Sequence, residues 1–513
     1  MTEPTKRLRQ KRQQPPSDPP PWFIKPFADH FFLPSTPDFT KQTSNKHADV
    51  YNYVHPEQFS LELDWVNNSK PQASKTFQKS IKQTQEDIKT CSDHLELKKL
   101  NTKLKTLQTK ENKIQTNLGK VIKTMSFKLH LNEKQKQTVV FWMRECLSVY
   151  NECIHLSNIQ RDNLPTDLKT LRSLVFDRLY GDNPKPAPYE TLGDEVRLFL
   201  SNRKSSLTNL KRKNITHFEL KRRKFRDFMS INVPSTSVNK SSVFKDLLGP
   251  IKGWPDVYKR IQETLKGSDY CDCRMVYDKL IDCFLLKVPY YTRPSNISGR
   301  KKVVSVDPGE KIFMSYYSPE QSGHIGYDIR KPILNEQKKI KKIDRLIKAR
   351  VNKKGSKLKN VRRLKVQRRM IFRRIKNIVS ELHHQTAFWL TTNYDRVYIP
   401  KFDTQQMLKR PENIKGKSSI KKFNRLNKRY KFVLQQLSHF RFRQHLLNKG
   451  QEKGCKIEII NEAYTSQCCG GCGSLSKTYN SQRVKKCKCG CEIDRDLNGA
   501  RNILLKTLCE YNQ

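Results

Sequence analysis

Acidic residues are scarce in this chain of 513 residues: 49 Asp and Glu stand against 101 Lys and Arg, a formal net charge of +52. So one-sided a balance excludes an ordinary mixed-sign surface and favours a polyanionic partner, nucleic acid above all. Long apolar runs are missing as well. None approaches the ~20 residues needed to span a bilayer, and no basic amphipathic helix stands apart, so no membrane partner is expected. The N-terminus, Met1-Thr2-Glu3-Pro4-Thr5-Lys6-Arg7-Leu8-Arg9, has no apolar core behind its charges, and no secretory signal is expected. Cysteine is not lacking, at 14 residues, but six lie between 468 and 491. That clustering points to metal in a reducing compartment rather than to disulfides.

Residues 1 to about 50 are rich in Pro, Gln, Lys and Asp and are expected to be largely disordered. The run Lys6-Arg7-Leu8-Arg9-Gln10-Lys11-Arg12 reads equally as a nuclear import signal or a solvated basic tail. A polar helical segment with Leu95, Leu97, Leu100, Leu104 and Leu107 follows over 75–122 and needs a partner surface or RNA to stay ordered. From about 123, Met125, Phe127, Leu129 and Leu131 alternate with polar residues as a half-buried strand. Asn132, with Gln135 three residues on, caps a helix. Basic helices are expected over 150–230, and 280–286 is an apolar run compatible with helix or strand.

Residues 301–318 predict a hairpin: Val303, Val304 and Val306, a turn at Asp307-Pro308-Gly309-Glu310, then Ile312, Phe313, Met314, Tyr316 and Tyr317. Residues 335–390 predict a basic helical hairpin with a turn at Gly355. Val397-Tyr398-Ile399 predicts a short strand stopped by Pro400. A basic helix over 418–449, ended by Gly450 and Gly454, leads to a strand at Ile457, Ile459 and Ile460.

Two chemistries are written into the last quarter. Cys469-x2-Cys472 and Cys487-x-Cys489 form a four-thiolate set, each pair followed by Gly, which permits the tight turn around a metal. Such a set favours structural, tetrahedral Zn²⁺. Cys468 and Cys491 flank the pairs, and either can replace a neighbour. Around this ribbon stand acids: Glu462 at a strand end, Asp496 at a helix start and, far upstream, Asp307. Singly, each has an ordinary use, as a solvated edge, a first-turn acid or a turn residue. Phosphodiester hydrolysis gives the three a common one, because carboxylates on strand ends and a helix start can hold two Mg²⁺.

At Thr465-Ser466-Gln467, Cys469-x2-Cys472-Gly473 and Asp494-Arg495-Asp496-Leu497-Asn498-Gly499-Ala500-Arg501-Asn502-Ile503 the chain resembles the RNA-guided nucleases of the TnpB and Fanzor group, relatives of the type V CRISPR effectors. The match is looser at Val306-Asp307-Pro308-Gly309 and Tyr150-Asn151, and spans roughly 123–505. The resemblance implies an α/β multidomain protein. It would comprise an N-terminal extension (1–122), a barrel-like wedge domain with an inserted helical recognition domain (123–300), RNase H-like RuvC segments (301–467), a zinc ribbon (468–492) and a final RuvC segment (493–513). It implies Asp307 as first catalytic acid and Asp496 as last. The middle acid departs from the TnpB pattern, because Pro400-Lys401 stands where a Glu is expected; the Fanzor arrangement moves that acid to Glu462. The function implied is an RNA-guided DNA endonuclease with Mg²⁺, Zn²⁺ and a guide RNA. It would act on double-stranded DNA as a monomeric ribonucleoprotein in the nucleus or a viral factory. Two competitors remain: a guide-dependent DNA-binding protein without cleavage, favoured by the missing acid at Pro400, and a guide-free zinc-ribbon DNA-binding or transposition accessory protein.

Overall fold

A computed structural model describes residues 24–26, 71–90, 93–160, 163–265, 271–295, 297–351, 358–408, 427–461, 464–475 and 482–510. Apart from residues 24–26, the expected disordered tail lies outside the described residues, as do Gly355 and Glu462. The backbone divides into two units, 70–293 and 1–69 with 294–513.

The second unit opens with one strand from the N-terminal region, β1 (Ile24–Pro26). The N-terminal unit then begins with two helices that pack on each other, α1 (Pro71–Thr90) and α2 (His94–Thr116). The alternation near 125 is strand β2 (Val121–Leu129), with Thr124, Ser126 and Lys128 exposed. Helix α3 (Glu133–Gln160) starts on the expected capping box: Gln135 N–H donates to Asn132 Oδ1 and Asn132 N–H to Gln135 Oε1, both at 2.9 Å. Helices α4 (Leu168–Tyr180) and α5 (Tyr189–Lys211) follow, then β3 (Phe228–Val233), α6 (Lys245–Leu248), α7 (Trp254–Leu265), β4 (Cys273–Asp278) and β5 (Cys283–Thr292). The apolar run at 280–286 is thus a turn entering a strand. The four strands form an antiparallel sheet in the order β2-β5-β4-β3. Val139, Trp142, Met143 and Val149 of α3 belong to one core with Ile231, Met275 and Leu286 of the sheet.

The other unit holds the acids. Its strands are β6 (Lys301–Pro308), β7 (Met314–Tyr317) and β8 (Ser322–Ile325), followed by α8 (Arg330–Val351), α9 (Leu358–Asn393) and β9 (Tyr394–Pro400). Then come α10 (Thr404–Leu408), α11 (Lys428–Leu437), α12 (His439–Lys453), β10 (Lys456–Ile460), β11 (Val484–Lys486), β12 (Glu492–Asp494) and α13 (Arg495–Glu510). The six-stranded sheet runs β1-β8-β7-β6-β9-β10. Neighbours are antiparallel up to β6, and β6-β9 and β9-β10 are parallel.

Two expectations are corrected here. The basic helix over 418–449 is two helices, parted at Ser438, whose left-handed backbone (φ 48°) breaks the ladder. Gly450 does not end α12 but lies within it; a Cβ there would meet Ile457 Cγ1 at 2.5 Å and the Cys455 carbonyl at 2.7 Å, so the glycine lets β10 fold back against the helix. The helical hairpin α8–α9 is basic as expected, yet Arg368 is paired with Asp344 at 2.6 Å across it.

The turn after β6 is held from beneath by aromatic stacking. Phe313 lies between His383 (5.3 Å, 25°) and His439 (5.1 Å, 14°). His439 Nε2 donates to the Gly309 carbonyl at 3.0 Å, and its buried Nδ1 has no hydrogen-bond partner. Burial holds both imidazoles neutral, lowering His383 to about 4 and His439 to about 3 from an ordinary 6.5. The folded chain therefore refuses protons that the unfolded chain takes up below about 6.5. Stability should fall as pH drops from about 6.5 towards 4, as read from denaturant midpoints. In the His383→Gln/His439→Gln variant the drop across that window should be shallower, whatever its stability at pH 7.

Candidate functional site

Asp307 closes β6 and is half-exposed. Asp496 stands in the first turn of α13. Helix α13 packs on β6 and β7, and Ser305 Oγ donates to the Ala500 carbonyl at 2.6 Å. A Cβ built on Gly499 would lie 2.4 Å from Asp307 Oδ2. Residues 496 and 499 share a helix face, so the Asp307 carboxylate rests on the face of α13 that carries Asp496. The third acid, Glu462, lies outside the described residues. The strand that precedes it is informative, however: Ile460 at the end of β10 pairs with Pro400, and Ser305 pairs with Tyr398. The three parallel strands therefore end at one level, and the chain leaves β10 two residues before Glu462 at the edge where Asp307 stands. Carboxyl ends of parallel strands are the usual seat of a site in such sheets.

Side chains not singled out from the sequence complete the surroundings. Asp494 caps α13, accepting from the N–H of Asp496 (2.9 Å) and of Leu497 (3.2 Å). Its Oδ1 lies 4.0 Å from His324 Nε2, and His324 Nδ1 is 2.9 Å from Ser315 Oγ. Asp307, Ser315 and His324 are register partners across β6, β7 and β8. The Asp-x-Asp spacing at 494–496 was the available signal, since the first acid reaches back to cap the helix that the second enters. Arg483 donates to Asp496 Oδ2 at 2.9 Å, and Arg495 Nε is 3.7 Å from Oδ1. Glu310, buried beside Arg330 Nε at 3.1 Å, has its carboxyl pKa raised by burial against the pull of that guanidinium. A cavity of about 410 Å³ lined by Lys128, His130, Lys136, Lys252 and Asp282 belongs to the N-terminal unit and holds none of the three acids.

The thiolates form a second centre. The sulfurs of Cys469, Cys472, Cys487 and Cys489 all lie within 4.8 Å of one another. Cys469–Cys489 and Cys472–Cys487 are 3.8 and 3.6 Å apart. Tetrahedral Zn–S bonds of about 2.3 Å require sulfurs about 3.8 Å apart, so this donor set fits zinc. Gly473 (φ +76°) and Gly490 (φ +84°) supply the left-handed turns behind each pair. Burial works against the Cys487 thiolate, but the Cys489 N–H, Ser474 hydroxyl and neighbouring thiols outweigh it and bring the pKa down to about 6. Cys468 and Cys491 are outside the four-sulfur group; Cys468 Sγ turns to the Gly473 carbonyl at 3.2 Å. The first knuckle is fastened to α13: Asn498 Nδ2 donates to the Cys468 carbonyl and Gly470 N–H to Asn498 Oδ1, both at 2.8 Å. Asn502 Nδ2 reaches the carbonyls of Thr465 and Cys468 at 2.8 Å.

Purified protein should carry about one zinc per chain by metal analysis, and stripping it should lower the thermal midpoint. Asn498→Ala, which orphans the buried Gly470 N–H and leaves the Cys468 carbonyl to Asn502 alone, should cost roughly 1–3 kcal/mol in denaturant unfolding.

Comparison with known proteins covers this segment and more. The profile of the Cas12f1-like TNB domain matches residues 439–503. Protein A625R of Paramecium bursaria Chlorella virus 1 is 26% identical over 414 residues, 76% of this chain and 88% of its own length. TnpB-like protein L79 of Acanthamoeba polyphaga mimivirus is 24% identical over 75% of this chain and 73% of its own. The CRISPR-associated endodeoxyribonuclease Cas12f1 of Sulfoacidibacillus thermotolerans is 36% identical over 77 residues, 15% of this chain and 18% of its own. By sequence, this chain is a homologue of the viral TnpB-like proteins.

Proposed function

We propose that the protein is a Fanzor-type, RNA-guided DNA endonuclease with one RuvC-type centre of Asp307, Glu462 and Asp496. The observation that carries this reading is the Asp307 carboxylate lying on the face of α13 that bears Asp496, at the level where β9 and β10 end, Ile460 being two residues before Glu462 in the chain. The donors are hard oxygens on a half-exposed edge, which suits Mg²⁺. Asp496 already draws two guanidinium groups, the mark of a carboxylate whose surroundings favour a cation. Bound Mg²⁺ would polarise the scissile phosphate and lower the pKa of the attacking water. The protein's own residues have the remaining tasks. Asp494 and the helix dipole orient the first turn of α13. His439 holds the Gly309 carbonyl and thereby the turn that follows Asp307. Arg483 and Arg495 supply positive charge beside Asp496, where a phosphate would approach.

The net charge of +52 supports polyanionic partners, and the name of one relative is that of an endodeoxyribonuclease. On this reading a guide RNA supplies sequence specificity by pairing with double-stranded target DNA. The zinc ribbon is structural, and the complex, a monomeric ribonucleoprotein, works in the nucleus or a viral factory. A second reading, guided binding without cleavage, is favoured by one feature: β9 ends at Pro400-Lys401, without an acid.

Cleavage decides between them. Glu462→Gln, Asp307→Ala and Asp496→Ala should each lower cleavage by orders of magnitude, without additivity, while RNA and target binding persist. Asp403→Asn, just past β9, should retain cutting. Intact cutting by Glu462→Gln together with its loss in Asp403→Asn would remove Glu462 from the centre. Absence of any cut by the unaltered complex in Mg²⁺ would establish the binding-only reading.

A further inference from the structure

Between α5 and β3 the chain runs through a segment without regular secondary structure that is nonetheless firmly held. From Arg222 to Ser230 exposure alternates strictly: Arg222, Lys224, Arg226 and Phe228 face solvent, and Arg223, Phe225, Asp227 and Met229 turn inward. A period of two is the mark of extended chain, and here it begins six residues before β3.

The inward residues are anchored by a part-buried network. Asn151 grips the backbone at both ends of one residue: Arg223 N–H donates to Asn151 Oδ1 at 2.7 Å, and Asn151 Nδ2 donates to the Arg223 carbonyl at 3.0 Å. The Arg223 guanidinium lies 3.3 Å over the Tyr150 ring and pairs with buried Glu195 at 3.3 Å. Tyr150 is fixed in turn by Asn202 Nδ2 at 2.9 Å. Phe225 sits in the core margin between Arg144 and Lys279. One arginine of the segment is thus neutralised and turned inward, while its neighbours on either side face solvent. Arg222, Lys224 and Arg226 have no carboxylate partner among the described residues, and the next position in the row, Phe228, is 51% exposed.

Three cations followed by an aromatic, in single file about 6.7 Å apart along an extended strand, form a ledge for one polynucleotide strand. The cations meet successive phosphates and the ring offers a face to an unstacked base. We infer that the 222–228 strap is a docking ledge for a single-stranded segment of the guide RNA. This rests on the proposed function, in which the guide is the polyanion carried permanently. A duplex does not suit the ledge, because its bases are already stacked and leave none for Phe228.

The test uses the full-length protein, freed of nucleic acid and titrated with the RNA that copurifies with the unaltered protein, and separately with a random-sequence DNA duplex. In Arg222→Gln/Lys224→Gln/Arg226→Gln, the slope of log affinity against log salt should fall by about 2 for the RNA, at about 0.7 per single-strand phosphate, and stay unchanged for the duplex. Phe228→Ala should weaken RNA binding roughly 5- to 150-fold, as expected for one lost stack, with the slope retained. All four side chains are exposed, and an unchanged thermal midpoint confirms that the fold is kept. An unchanged RNA slope, or an equal fall for duplex, overturns the ledge. Unaltered protein that retains no RNA on purification overturns the guide-RNA reading and the ledge with it. Retained RNA with an unaffected triple variant overturns the ledge alone.

Discussion

The Asn498 side-chain amide is the grip on which both candidate metal centres depend. It is fully buried, and it satisfies a carbonyl and an N–H of the first cysteine knuckle at once. The knuckle cannot slide along α13 without leaving both groups unpaired in the interior, a cost that a marginally stable domain does not absorb easily. Two residues earlier on the same helix stands Asp496, and one residue later Gly499 receives the Asp307 carboxylate. A zinc ion that fixes the knuckle therefore also fixes the start of α13. The soft thiolate set and the hard carboxylate set stay chemically separate while sharing one helix.

The same economy governs the acids. In a chain with so few of them, many sit where a basic residue must be held in one place. Glu310 holds Arg330, Glu195 holds Arg223, and Asp194 holds both Arg197 and Arg274. Such pairs bring little net stability, since desolvation offsets their attraction, but removing one partner leaves a buried charge. Their effect is geometric. They hold a few partly exposed arginines in fixed places, while the excess of cations over acids gives the chain a field that favours polyanions.

The histidines near the sheet show a third use of burial. His383 and His439 are held neutral by desolvation, and they grip Phe313 by stacking rather than by charge. The turn that follows Asp307 thereby gains a rigid floor that adds no positive charge beneath the acids. This floor comes from α9 and α12, far along the chain from the turn it supports.

Local patterns were legible in the sequence because their causes are local. The capping box at Asn132 and Gln135, the alternation of β2, the strand ending at Pro400 and the two cysteine pairs with their glycines depend on neighbours a few residues away. The break at Ser438, the place of Gly450 inside α12 and the pairing of Arg368 with Asp344 were not legible, because each answers to an element packed from elsewhere. The sequence by itself determined which chemistries the chain can carry: a four-thiolate metal set, oxygen donors at strand and helix ends, and a field for polyanions. Tertiary structure decided that Asp307 lies on the face of α13 that carries Asp496, that Arg483 pairs with that acid, and that Arg223 of the strap turns in to Glu195 while Arg222 and Arg226 face solvent. Helix-on-sheet packing sums many weak contacts over distant segments, and no spacing along the chain encodes that sum.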